Sequence, residues 1–126
     1  MAKILIFAET NEQKIKNVSF EILSHLSDHE LDVVTIGEHS EECLNSLKRY
    51  NLKNVFQLCS KELENYSPEG FSQAVSKLNH ENSYDYIFAG ATSMGKDFFP
   101  RLAGILGVGL ASDLVELKSE NNELYG

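Results

Sequence analysis

Short apolar runs alternate with stretches of helical periodicity along the chain, and this alternation limits the fold more than any other feature. Residues 3–8 (KILIFA) form a nearly continuous apolar run, the mark of a strand covered on both faces. After a polar, turn-like 10–13, Ile15, Val18, Ile22 and Leu26 recur at three- and four-residue steps, which predicts a helix with one buried stripe. A second strand is expected over 31–36, stopped by Gly37. Ser40 is placed to cap a second helix that buries Cys43, Leu44, Leu47 and Tyr50. Glu41 and Glu42 fall in its first turn, where the helix dipole favours anions. A third strand is expected over 54–59, and Ser67 with Pro68 reads as the cap and first-turn proline of a third helix. Phe71, Ala74, Val75 and Leu78 form its inner face. The fourth strand is expected over 84–89. Phe98, Leu102, Ile105 and Leu106 mark a fourth helix closed by Gly107 and Gly109, and 110–117 reads as a fifth strand.

Strands alternating with helices of this length imply right-handed crossovers and a parallel sheet clothed on both faces, a three-layer α/β domain. In such folds the ligand crevice lies past the carboxyl ends of the strands, where the strand order reverses. With the first and fourth strands as central neighbours, the loops 9–13 and 90–95 face that crevice. The length, 126 residues, fits one domain. With 11 Lys and Arg against 19 Asp and Glu, the formal charge is −8, which makes nucleic acid and anionic membrane surfaces poor partners. No apolar run approaches the roughly 18 residues of a membrane span, and the first residues lack a signal-peptide layout. Direct membrane insertion is therefore not expected, and a cytoplasmic location is. Cys43 and Cys59 form no CxxC pair and read as reduced thiols used as small hydrophobes. The polar stretch 118–126 has no following element to use it, so a longer protein is expected to continue past Gly126.

The segment with most chemical content is Gly90-Ala-Thr-Ser-Met-Gly-Lys-Asp97, between an expected strand and an expected helix. It matches the phosphate-binding pattern GxxxxGK up to the last position, where Ser or Thr would hold magnesium and Asp97 stands instead. A carboxylate there would repel phosphate oxygens. Three readings stand: a true NTP-hydrolysing phosphate loop, which Asp97 argues against, an anion-accepting helix N-terminus aided by Lys96 and Arg101, or a tight turn with a Thr92 or Ser93 cap. Pro100 allows two helix geometries, one starting near Phe99 and one starting earlier and kinking. Asp97 and Arg101 are spaced to pair along a helix. Phe99, rotated about 100° from Phe98, is expected either at a contact surface or, if Pro100 bends the backbone, in the same core. His25 and His29 have metal-pair spacing without a third ligand, and no His is spaced to activate Cys59. Neither a metal site nor a catalytic residue is expected.

Two blocks carry a family resemblance. Ile4-Leu-Ile-Phe-Ala-Glu9 looks like the opening strand of the electron transfer flavoprotein alpha subunit. The run from Gly90-Ala-Thr-Ser-Met-Gly-Lys-Asp-Phe-Phe-Pro-Arg-Leu-Ala103 on to Gly109-Leu-Ala-Ser-Asp113 resembles that family's stretch GATSxGKDxxPRLA…GLxSD. The resemblance implies the N-terminal domain of that subunit, an adenine nucleotide alpha hydrolase-like fold ending before its last strands. It implies that FAD is held mainly by a C-terminal domain beyond this chain, and that a partner beta subunit carries AMP. It further implies a heterodimer that takes electrons from acyl-CoA dehydrogenases or similar flavoproteins and passes them on, in a cytoplasm or a mitochondrial matrix. On this reading Gly90, Thr92, Ser93, Gly95, Lys96, Asp97 and Arg101 are structural or interface residues, and this chain binds neither FAD nor a nucleotide.

Overall fold

The computed structural model describes residues 3–11, 14–37, 41–90, 92–107, 109–111 and 115–118. In chain order its elements are β1 (Lys3–Phe7), β2 (Thr10–Asn11), β3 (Lys14–Ile15), α1 (Asn17–His25), β4 (Glu30–Ile36), α2 (Glu41–Asn45) and β5 (Asn54–Leu58). A 3-10 turn (Lys61–Leu63) leads to α3 (Pro68–Asn82), β6 (Tyr86–Ala89), α4 (Ser93–Leu106), β7 (Gly109–Ala111) and β8 (Val115–Lys118). Ser40, the loop tip 12–13, Ser112, Asp113 and the tail after Lys118 lie outside the described residues.

β1 is central because both of its faces are apolar. Leu5 and Phe7 join Val34, Val75, Phe98 and Leu102 on the α3/α4 side, while Ile4 and Ile6 join Ile22, Leu23, Val33 and Phe88 on the α1 side. The sheet order is β5-β4-β1-β6-β8-β7. The first four strands are mutually parallel, as the alternation predicts, with Ile4 opposite both Leu31 and Tyr86. The strand order thus reverses at β1, whose neighbour across the reversal is β6.

The expected fifth parallel strand over 110–117 is corrected. That stretch holds two short strands, with β7 antiparallel to β8 and β8 antiparallel to β6. β7 still runs in the direction of β6, as a right-handed crossover through α4 requires. The chain then turns back, and β8 takes the place beside β6, with Ala89 opposite Val115 and Tyr86 opposite Lys118.

Three helix expectations also change. Ile15 belongs to the small β2–β3 hairpin, where it sits opposite Thr10, so α1 starts only at Asn17. α2 is five residues long, and hydrogen-bonded turns carry the chain on to a buried Leu47 and to Tyr50, which stacks on Phe20. α4 starts at Ser93 and runs through Pro100. Phe98 and Phe99 are both fully buried, with ring centroids 5.0 Å apart at 84°. The contact-surface reading of Phe99 is therefore overturned. α4 packs against α3 as well as the sheet side, so two directions about 100° apart are both covered. Ile105, expected on the inner face, is 52% exposed. Among the described residues no helix is long and apolar enough to cross a membrane.

Candidate functional site

β1 and β6 lie side by side, so the segments leaving their carboxyl ends, through Glu9 and Gly90, emerge together. The Lys16 N–H donates to the Glu9 carbonyl at 2.9 Å, which closes the hairpin loop under this point. Glu9 is buried, and its carboxylate has two partners. Oε2 meets Lys16 Nζ at 2.6 Å, and Oε1 accepts the Thr92 hydroxyl at 2.5 Å. The Thr92 oxygen in turn accepts the Gly95 N–H at 3.1 Å, so Thr92 is the N-cap of α4 and Ser93 is its first residue. Because that oxygen accepts from Gly95, its own proton is free to go to Glu9. Lys16, Glu9, Thr92 and the Gly95 amide thus form one continuous polar chain at the positive end of the α4 dipole.

The two glycines of the nominated segment serve close approach rather than turn conformation, since neither has a positive φ. A Cβ on Gly90 would lie 2.6 and 2.7 Å from the Val18 methyls of α1. A Cβ on Gly95 would run into the Gly90 carbonyl. The tight-turn reading is replaced by backbone-to-backbone packing of α4 on the end of β6.

Asp97 is exposed and accepts the Tyr66 hydroxyl at 2.7 Å. The Tyr66 ring packs edge-on against Phe71, 4.8 Å between centroids. Partial burial, then the bond to Asp97 and the negative charges of Asp97 and Glu9, push the Tyr66 hydroxyl well above the ordinary tyrosine range, with Arg101 opposing. The expected Asp97–Arg101 pair is not formed: the ion pairs among the described residues are Lys16–Glu9 and Lys53–Glu30. Lys96 and Arg101 are exposed. Glu9 and Tyr66 were not nominated from sequence. A Glu directly after an apolar strand at the point of strand-order reversal was the available signal for the first.

These residues do not fit a phosphate, whether of a mononucleotide or of a flavin dinucleotide. A phosphate-binding loop offers free backbone N–H groups and a hydroxyl for magnesium. Here the Gly95 N–H is capped by Thr92, the Lys96 N–H is bonded to the Thr92 carbonyl, and Glu9 and Asp97 supply carboxylates instead. Like unit charges about 4 Å apart repel by about 4 kcal/mol at an effective dielectric of 20.

At the opposite, amino-terminal pole of the sheet lies a cluster that sequence reasoning missed. Asp32 on β4 is 1% exposed, accepting the Tyr84 hydroxyl at 2.6 Å and the Asn54 side-chain amide at 3.2 Å. Its signal was a lone acid inside the run LDVVTI. Lys3 Nζ sits 5.2 Å from the Tyr84 ring centroid and donates to the Asn82 carbonyl, tying β1 to the end of α3. Two surface concavities, about 460 and about 750 Å³, flank β5 and contain none of the nominated residues. No group of three His, Cys, Asp or Glu among the described residues could hold a metal. Neither cysteine forms a disulfide, and the exposed Cys59 thiol donates to the Gly37 carbonyl at 3.0 Å.

Fold and site together define a three-layer α/β domain in which the chain's own Glu9 is bonded to the N-cap of α4, where the segments leaving β1 and β6 meet. The family model for the electron transfer flavoprotein domain matches residues 4–125, and the chain belongs to that family. It is 35% identical over 127 residues to the electron transfer flavoprotein subunit alpha of Thermoanaerobacterium thermosaccharolyticum, covering 96% of this chain and 38% of that protein. The corresponding subunit of Bacillus subtilis is 29% identical, with 91% and 37% covered. The acryloyl-CoA reductase electron transfer subunit beta of Anaerotignum propionicum is 29% identical, with 95% and 34% covered. The chain thus spans little more than a third of the length of these relatives.

Proposed function

We propose that this chain is the N-terminal α/β domain of an electron transfer flavoprotein alpha subunit, serving as a scaffold and partner-docking domain without chemistry of its own. The observation that carries this reading is the match over nearly the whole chain to relatives named as alpha subunits, together with a crevice that does not fit a phosphate. On this reading FAD is held by a C-terminal domain of the complete subunit, and AMP by a heterodimeric beta subunit. The complete carrier, in the cytoplasm, takes electrons from acyl-CoA dehydrogenases or related flavoproteins and hands them to a downstream acceptor. The fragment contributes surface and rigidity, and Gly90, Gly95 and Thr92 contribute by seating α4 on the sheet.

A chimaera tests this. The corresponding segment of the T. thermosaccharolyticum alpha subunit is replaced by this chain and co-expressed with that organism's beta subunit. A heterodimer with one FAD, reducible by a flavoprotein dehydrogenase, is the expected outcome, while this chain alone purifies colourless. Stoichiometric flavin retained by the chain alone through gel filtration, or a folded chimaera unable to assemble, would overturn the reading.

A further inference from the structure

The nucleotide-like loop of this chain is left over once the scaffold reading is made, and its geometry answers a separate question. We infer that Glu9 is the specificity-determining residue that closes the crevice to phosphate: its carboxylate takes up the positive end of α4 from within. Three observations converge. Glu9 is buried at 7% exposure directly where the strand order reverses. Its Oε1 receives the hydroxyl of the residue that caps α4, so the helix pole is bonded to this acid through Thr92. Its Oε2 takes Lys16, a cation beside the loop, and holds it at 2.6 Å.

The charge arithmetic follows from that placement. With Glu9 in place the Lys16–Glu9 pair sums to zero, and a carboxylate stands bonded to the residue that caps α4. With a neutral side chain at position 9, Lys16 loses the carboxylate that holds it, while the first turn of α4 keeps the N–H groups of Ser93 and Met94. Those N–H groups are the ones a helix start presents to an anion. Asp97 lies one turn further on and is engaged by Tyr66, so it adds to the repulsion without filling the pole. The glycines of GxxxxGK thus serve the packing of α4, and one acid just past the end of β1 sets what the crevice accepts.

The test is a titration of the 126-residue chain with AMP and, separately, with pyrophosphate at low ionic strength. It is followed by calorimetry and by the backbone amide resonances of Ser93 and Met94. The original chain is expected to show neither heat nor movement of those two resonances. Glu9→Gln, and independently Glu9→Ala, are expected to bind pyrophosphate at least tenfold more tightly than the original chain, with Ser93 and Met94 shifting. Adding Asp97→Asn to Glu9→Gln should tighten binding further. Equal binding by the original chain overturns the inference. So does the absence of any gain in a variant with an unchanged circular dichroism spectrum and a cooperative melt. If neither variant folds, Glu9 is a structural requirement and the exclusion role falls. The inference extends the scaffold reading but fails separately from it, because flavin content of the assembled chimaera and anion affinity of the chain are independent measurements.

Discussion

Tyr84 and Asp32 form the most consequential side-chain pair outside the crevice. The Tyr84 hydroxyl donates to a carboxyl group that is 1% exposed, and no ion pair to Asp32 is found among the described residues. Burial first, then that hydrogen bond and the nearby acids Asp32 and Glu30, push the Tyr84 hydroxyl far above the ordinary tyrosine range. Above about pH 10, where an unfolded tyrosine ionises, the folded chain therefore holds a proton the unfolded chain releases. The corresponding stability is complete below about pH 10 and is lost as pH rises beyond it. Tyr84→Phe should cost about 1–3 kcal/mol at pH 8, the usual penalty for leaving a buried acceptor without its donor. Urea melts from pH 8 to 11.5 should show a shallower alkaline decline in the variant. Tyr66 is held above the ordinary tyrosine range in both proteins and contributes equally to both, so the difference in slope isolates Tyr84, and identical slopes would refute the assignment. Phe99 is the second residue with a clear expectation. It is fully buried against Phe98, so Phe99→Ala should destabilise the chain by about 3–5 kcal/mol, read as a fall in melting temperature of this domain alone. A variant of unchanged stability would return Phe99 to the surface.

At the scale of elements, α4 is seated by its buried Phe98, Phe99 and Leu102 and by two close approaches at its start, Gly90 to Val18 and Gly95 to the Gly90 carbonyl. Gly90→Ala places a methyl against both Val18 methyls and should cost about 1–3 kcal/mol. Because the obstacle is a side chain, Val18→Ala in the same molecule should recover part of that loss. Gly95→Ala meets the Gly90 carbonyl, which has no such freedom, and the same second change should not rescue it. Denaturant melts of the single and double variants form the cycle, and additivity at Gly90 and Val18 would remove the contact from the account. This element also shows where sequence reading succeeds and fails. The strands β1 and β6 were legible because a strand covered on both faces is a continuous apolar run, and β4 because only Asp32 and Thr35 interrupt such a run. The edge strand β5, NVFQL, was legible as a short β-branched and aromatic run between polar turns. The reversal between β1 and β6 entered as a condition, because alternation sets the direction of the strands and not their order. The return of β8 beside β6 was not legible, because periodicity assigns one apolar run to one strand and is blind to a reversal within it. Phe99 was left between surface and core because a single-stripe view of α4 leaves out α3, which covers a second side of it. Ile105, placed on the inner stripe by the same view, is exposed. The segments leaving β1 and β6 do emerge side by side, but the acid between them was not nominated, because its partner Thr92 lies 83 positions away in sequence.

For the whole molecule, the order of the sheet fixes the order in which parts open. β1 has a parallel partner on each side and helices over both faces, and its partners are 27 and 82 positions away in sequence, as Lys3 opposite Glu30 and Ile4 opposite Tyr86 show. Freeing β1 therefore separates β4 from β6 and exposes both core layers, which is global unfolding. β5 has β4 alone beside it, and Val55 is 43% exposed on it. Freeing β5 gives up one ladder and leaves the β4-β1-β6 core in place. Native-state hydrogen exchange should follow this division. Amides of β1 and β6 are expected to exchange only at the free energy of global unfolding and to share its denaturant dependence. Those of β5 should exchange at least about tenfold faster, a gap of about 1.4 kcal/mol, with little dependence on denaturant. The same ranking should survive Glu9→Gln, because the charge chain at the crevice joins β1 to α4 and does not reach β5. If β5 proves as protected as β1, this edge is not the first part to open. The two concavities beside it would then border a strand held by more than the β4 ladder.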